Sequence, residues 1–396
     1  MTGEPSQLPG ISAALEAGRA AGIAGALSAV VSAGGVRVHT SCHGVVAEEA
    51  GTARRLHADD LFDVASLTKV LCTTSLAAQL AAEGRLDPDA PAARHLPHFD
   101  SEERRAVTVR HLLAHASGLP AHRPFHEAVA RSPASRAAFL PPAERPAPEA
   151  LRGAFLHGRL LVGDMSCAEP LEAPPGTRAL YSDLGFIALG LLVERAGGGK
   201  LPGLLQARIL SPMGLRSTFF LDGLEPATAR ARAAGRTFLP TGACPHRHEV
   251  NRGAVNDDNA WAMGGVAGHA GLFSTAEDVA AVGQAWLDAL SGRRSVIPAD
   301  AAAAFARRDP TPGSDRALGW DTPGAGSSIG DRLGRGPRGA IGHLGYTGTS
   351  LWIDLDAGIV CALLTNHTHP SGVSDRERIR AFRRTFHDAV AEALGV

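Results

Sequence analysis

The spacing of apolar residues divides the chain into strand-like ends and a helical middle. Residues 11–21 repeat at the helical period and predict a short helix. Residues 24–32 and 36–40 are apolar runs flanking Ala33, Gly34 and Gly35, which predicts a β-hairpin. Residues 66–83 are rich in Leu and Ala and free of Gly and Pro, so they predict a helix that Gly84 caps. Thr108 is placed to cap a further helix, which Gly118 and Pro120 close. Residues 184–196 and 204–210 read as helical. Residues 275–290 are amphipathic, with Glu277 and Asp278 in the first turn, where they complement the helix dipole. Two strand-like runs, 349–353 and 359–365, flank a turn at 354–358, and an amphipathic helix closes the chain over 375–394.

Two stretches lack periodicity. Residues 120–175 are rich in Pro, Ala and Arg and are expected to be an insertion of loops and short helices. Residues 310–340 are rich in Gly and Pro and loop-like. The order strands, helices, strands, helix predicts an α+β fold. In it an antiparallel sheet flanked by helices is built from both chain ends, 1–65 and 265–396, with a mainly helical region, 66–264, inserted between them.

Composition narrows the function. The chain has 396 residues and a net charge of −1, so it creates no field for nucleic acid or an anionic membrane. Its mean hydropathy of −0.01 fits a soluble protein with a large core. The first apolar stretch is too short to span a bilayer and lacks a basic flank, so the expected location is the cytoplasm. Five scattered cysteines suggest no disulfide framework. The expected partner is a small-molecule or peptide-like substrate, with no cofactor.

The lysines are Lys69 and Lys200 in a chain with 39 Lys plus Arg. A lysine kept where arginine serves elsewhere suggests a task that requires giving up a proton. Lys69 ends Ser66-Leu67-Thr68-Lys69, an S-x-x-K motif. At helical spacing the hydroxyl and amine share one face. Serine needs a base beside it, and burial or a helix N-terminus lowers a lysine's pKa enough to provide one.

Further motifs follow in order: Tyr181-Ser182-Asp183, His343-Leu344-Gly345, and the stretches HLLAHASGLP and GGVAGHAGLFSTAEDVA. Together with Ser66 and Lys69 they resemble the serine β-lactamase, penicillin-binding-protein and related esterase superfamily, over roughly residues 24 to 365. The resemblance implies a β-lactamase/transpeptidase-like fold and an acyl-enzyme on Ser66. It implies Lys69 as base, Tyr181 as proton shuttle, and the backbone N–H groups of Ser66 and Tyr346 as oxyanion hole. Asp183, His343, Leu344 and Gly345 would face substrate. Asp183 stands where the family has asparagine and would orient Lys69. His343 and Leu344 replace the Lys and Thr of K-T-G, which argues against an efficient β-lactamase. An esterase, a D-amino-acid peptidase or amidase, or an acyltransferase is left, with a non-catalytic binding protein as the alternative of another class.

Competing motifs are weaker. Gly326–Gly330 matches G-x-S-x-G around Ser328, with Asp354 and His367 downstream, but lies in loop-like sequence. Gly334, Gly336 and Gly339 match a dinucleotide fingerprint by letters alone. Cys244, His246 and His248 have metal-ligand spacing without a completing cluster, so a structured loop is expected. His111, His115 and His269 read as structural. Residues 255–260 could line a pocket or cap turns.

Overall fold

The computed structural model describes residues 8–47 and 53–396. Strands β1 (Ala26–Ala33), β2 (Val36–Ala47), β3 (Ala53–Arg55), β4 (Ala340–Leu344), β5 (Ser350–Asp354) and β6 (Ile359–Thr365) form one antiparallel sheet, ordered β3-β2-β1-β6-β5-β4. Gly34 and Gly35 both have positive φ, as a tight β1–β2 hairpin requires. The sheet holds strands from both ends of the chain.

Alternation along β6 assigns its two faces. Val360, Ala362 and Leu364 belong to the large core that includes Val279, Val282 and Trp286 of the Ala276–Leu290 helix. Ile359, Cys361 and Leu363 point the other way, onto the terminal helices Pro9–Ala20 and Arg376–Leu394, through Ile11, Leu15, Phe382 and Phe386. Local caps fix several helix starts. The side chains of Thr108, Thr275 and Asp375 each accept a backbone N–H in the first turn.

The insertion 120–175 departs from expectation. It contains a 17-residue helix, Arg152–Ala168. Gly153, Gly158 and Gly163 lower its propensity, and exposed Leu156 and Leu160 blur its amphipathic stripe. Gly158 is needed for packing, since a Cβ there would stand 2.1 Å from the Ala262 carbonyl oxygen. The middle region also holds a short strand, Phe219–Phe220. With Phe62–Asp63 and Leu272–Ser274 it forms a small sheet that ties the region to the residues before Ser66. All five cysteines are free. Among the described residues no helix is long and apolar enough to cross a membrane.

Candidate active site

Ser66 does not open a plain α-helix. Ala65, just before it, has φ +48°, a strained conformation for a residue with a side chain, and its N–H donates to Asp63 Oδ1 at 2.8 Å. The N–H groups of Leu67, Thr68 and Lys69 form a tight turn back to the carbonyls of Val64, Ala65 and Ser66. The chain then winds as a π-helix over Lys69–Thr74 before the α-helix Ser75–Ala82. This turn points both functional side chains the same way, with Lys69 Nζ donating to Ser66 Oγ at 2.9 Å.

Tyr181 arrives from a segment pinned on both sides. The Leu180 N–H donates to the His115 carbonyl, and the Ser182 N–H to His115 Nδ1. Ser182 Oγ accepts from Gly185 to cap the Asp183–Gly197 helix and donates to the Pro120 carbonyl. So held, the Tyr181 hydroxyl donates to Ser66 Oγ at 2.9 Å. Asp183 Oδ1 accepts from Lys69 Nζ at 2.8 Å, and the His269 carbonyl accepts from it at 3.3 Å. Asp183 thus makes the contact with Lys69 that was expected of it, and it also lines the cavity that reaches Ser66.

The electrostatics correct one expectation. Burial is the largest influence on Lys69 and pushes it down, but Asp183 and Tyr181 together carry it above its ordinary value. The resting Lys69 is therefore an ammonium. Burial likewise holds the Tyr181 phenol above its usual range, against the pull of Lys69. The expectation for Lys69 had been a fall, from burial or a helix N-terminus.

The third element of the site is the turn after β4. Thr347 Oγ1 donates to the Asp63 carbonyl and Thr349 Oγ1 to the Val64 carbonyl, tying this turn to the residues just before Ser66. Buried Arg383 donates to the carbonyls of Gly345 and Thr349 from behind. The N–H groups of Ser66 and Tyr346 have no hydrogen-bond partner among the described residues, which leaves both for a ligand.

His343, Leu344 and Gly345 divide differently than expected. His343 faces the site, 6.0 Å from the Tyr181 ring, with Nδ1 donating to the Leu344 carbonyl and Nε2 buried without a partner. Burial, then Lys69 and Arg316, push its pKa well below the usual value, so it is neutral and no cationic anchor for a carboxylate. The Leu344 side chain points to the opposite face of the sheet, among the terminal helices, because successive strand residues alternate. It cannot contact substrate in the cleft. Gly345 is required by its own neighbours: a Cβ would lie 2.0 Å from Thr349 Oγ1 and 2.7 Å from the Val64 carbonyl.

Several residues at the site carried no motif. The Arg316 guanidinium lies 5.1 Å from the Tyr181 ring centroid and pairs with Asp321; both sit in the stretch that read as plain loop. The His115 ring lies 4.6 Å from the same ring, tilted by 37°. His269 pairs through Nε2 with Asp257, so His115 and His269 are parts of the site, whereas His111 belongs to a capping box with Thr108. Asp257 both caps the Asp258–Ala262 helix and, with Asn256, lines the cavity of about 540 Å³ that reaches Ser66, Asp183 and Tyr346.

The competing motifs do not assemble. Ser328 is buried beneath Trp352, the Asp354 carboxylate accepts turn N–H groups, and His367 bonds the Ile23 and Asp375 carbonyls. Gly334 and Gly339 are loop residues whose N–H groups are taken by Asp354 and Asp356. Cys244 donates to Asp258 and accepts from Arg247, so it does not join His246 and His248 in a metal set.

Comparison with known proteins places the chain in a family. A D-alanyl-D-alanine carboxypeptidase, so named provisionally, from Escherichia coli (strain K12) is 30% identical over 337 residues, covering 80% of this chain and 71% of its own. The N-acetylmuramyl-L-alanine amidase of Bacillus subtilis (strain 168) is 28% identical over 384 residues, covering 92% and 81%. The solved structure of EstCE1, described as a hydrolase with promiscuous acyltransferase activity, superposes with a TM-score of 0.66 at 20% identity, covering 96% of this chain and 98% of that one. The family described as Beta-lactamase matches residues 11–384, and the chain belongs to that family.

Proposed function

We propose that the protein cleaves an ester or amide through an acyl-enzyme on Ser66. The observation that carries this reading is the convergence of Lys69 Nζ and Tyr181 Oη on Ser66 Oγ, each at 2.9 Å. Ser66 Oγ attacks the substrate carbonyl carbon, and its proton passes to whichever of Lys69 and Tyr181 has lost its own. The two act as one coupled unit. The oxyanion lies between the N–H groups of Ser66 and Tyr346. Collapse breaks the bond to the leaving group, which takes a proton from Tyr181. Water then enters along the same route and releases the acid.

Because Lys69 rests as an ammonium and Tyr181 as a neutral phenol, the unit must lose a proton before it acts as base. kcat/KM should therefore rise toward alkaline pH. The neutral His343 favours substrates that do not depend on a lysine-held carboxylate. His122, Asn256 and Asp257 in the cavity wall favour a polar acyl group or leaving group. The relatives named as amidase and carboxypeptidase support an amide substrate. An alcohol or amine could take the place of water in the second step, which would make the reaction an acyl transfer. A cytoplasmic location is part of this proposal, and cell fractionation tests it.

The test is intact-protein mass after treatment with a fluorophosphonate probe. A single adduct on wild type that vanishes in Ser66→Ala and is slowed in Lys69→Ala is expected. An adduct that persists in Ser66→Ala refutes the assignment.

A further inference from the structure

We propose that His126, His246 and Asp258 form a binding site for a divalent transition-metal ion, of the zinc class, in the wall of the cavity that Ser66 also lines. One ligand atom from each residue lies within 4.8 Å of the others. Two imidazoles and one carboxylate form a donor set that suits zinc and leaves a coordination position open. All three residues line the cavity, so the open position faces the space a substrate would enter.

The state of His126 points to a ligand. Its side chain is 6% exposed, and both ring nitrogens are buried with no hydrogen-bond partner. A buried imidazole with neither nitrogen satisfied is costly unless something fills the gap. Its ring meets that of His246 at 4.6 Å, edge to face, so the two rings converge without bonding each other.

The surroundings hold the ligands in place. The His126 backbone N–H donates to Asn259 Oδ1, and Asn259 Nδ2 donates to the Arg123 carbonyl. The Asp258 carboxylate is held through Oδ1 by Arg247 at 3.1 Å and by the Cys244 thiol at 3.2 Å, which leaves Oδ2 for a metal. Partners that orient a ligand from behind are the usual support of a metal site. In a tetrahedral zinc site, with bonds of about 2.0–2.1 Å, ligand atoms stand roughly 3.3 Å apart. The present cluster must therefore close by up to roughly 1.5 Å, and His246, which is exposed, is free to turn inward. The sequence spacing of Cys244, His246 and His248 pointed to the right loop but the wrong set. Only His246 of the three takes part, and its partners come from helices more than a hundred residues before it and a dozen after it.

The site is tested by metal binding alone, independently of acylation. Chelator-treated protein is titrated with Zn²⁺ by calorimetry, and bound Co²⁺ is followed by its visible absorption. Wild type and Ser66→Ala are expected to take one equivalent each. His246→Ala, an exposed position that leaves the fold intact, should weaken binding ~10–100-fold or more. His126→Ala should do the same, and His248→Ala should bind as wild type does. Absence of stoichiometric binding to wild type, or equal binding by His246→Ala, overturns the proposal. Loss of labelling by the fluorophosphonate with metal binding intact would count against the acylation reading only.

Discussion

Replacing Asp183 by Asn puts the charge arrangement of the site to its most direct test. Lys69 is fully buried and Asp183 is its ion-pair partner at 2.8 Å, itself about a fifth exposed. At that distance two unit charges attract by ~6 kcal/mol at an effective dielectric of 20. Desolvation offsets much of this, and breaking such a pair by removing one partner costs ~3–5 kcal/mol. Asp183→Asn should therefore lower the unfolding free energy by about that amount in urea, followed by the fluorescence of the buried tryptophans. Lys69→Met should cost less, since the carboxylate it strands keeps some contact with water. The double variant Lys69→Met/Asp183→Asn should return to within ~1 kcal/mol of wild type, because no uncompensated charge remains. The same change has a kinetic signature. Without Asp183, burial dominates at Lys69 and favours the neutral amine, so the rise of kcat/KM with pH should move to lower pH. Stability should respond in the alkaline range. Folded Lys69 lies above its ordinary 10.5, so its contribution is complete below pH 10.5 and is lost as pH climbs through the folded value; Asp183→Asn removes that loss. The reasoning is refuted if Asp183→Asn costs under ~1 kcal/mol, the two changes add, and the pH profile stays in place.

Other consequences are open to measurement. Burial pushes His387 down to about 4 from 6.5, so its neutral form supports the fold above pH 6.5 and that support drains away as pH falls toward 4. The loss should be about 3 kcal/mol between pH 7 and 4, and His387→Gln should flatten it. Gly345→Ala should cost ~1–3 kcal/mol and slow acylation, because the new methyl must push Thr349 or the Val64 backbone out of place. Thr108→Ala should cost ~1 kcal/mol in thermal unfolding with little effect on acylation, since its hydroxyl caps the Val109–Leu113 helix and touches nothing at Ser66.

What the sequence determined by itself is the part that depends on neighbours. Apolar runs marked β1, β5 and β6 as strands, and side-chain caps at Thr108, Thr275 and Asp375 set helix starts, because both act within a few residues. The S-x-x-K spacing brought Lys69 to Ser66 for the same reason, although through a tight turn and a π-helix. Motif order further named Tyr181, Asp183 and His343 as members of the site. Tertiary structure decided what those residues do. Tyr181 reaches Ser66 only because the segment around His115 and Pro120 grips it from both sides. The pKa of Lys69 rises where spacing alone suggested a fall, because a carboxylate 114 residues away settles against it. Leu344, one step along the strand from His343, is turned to the far face. Arg316 and Asp321 left no local trace, and of the His126–His246–Asp258 cluster only His246 stood in a metal-ligand spacing, since no period or cap links residues brought together by packing of distant elements.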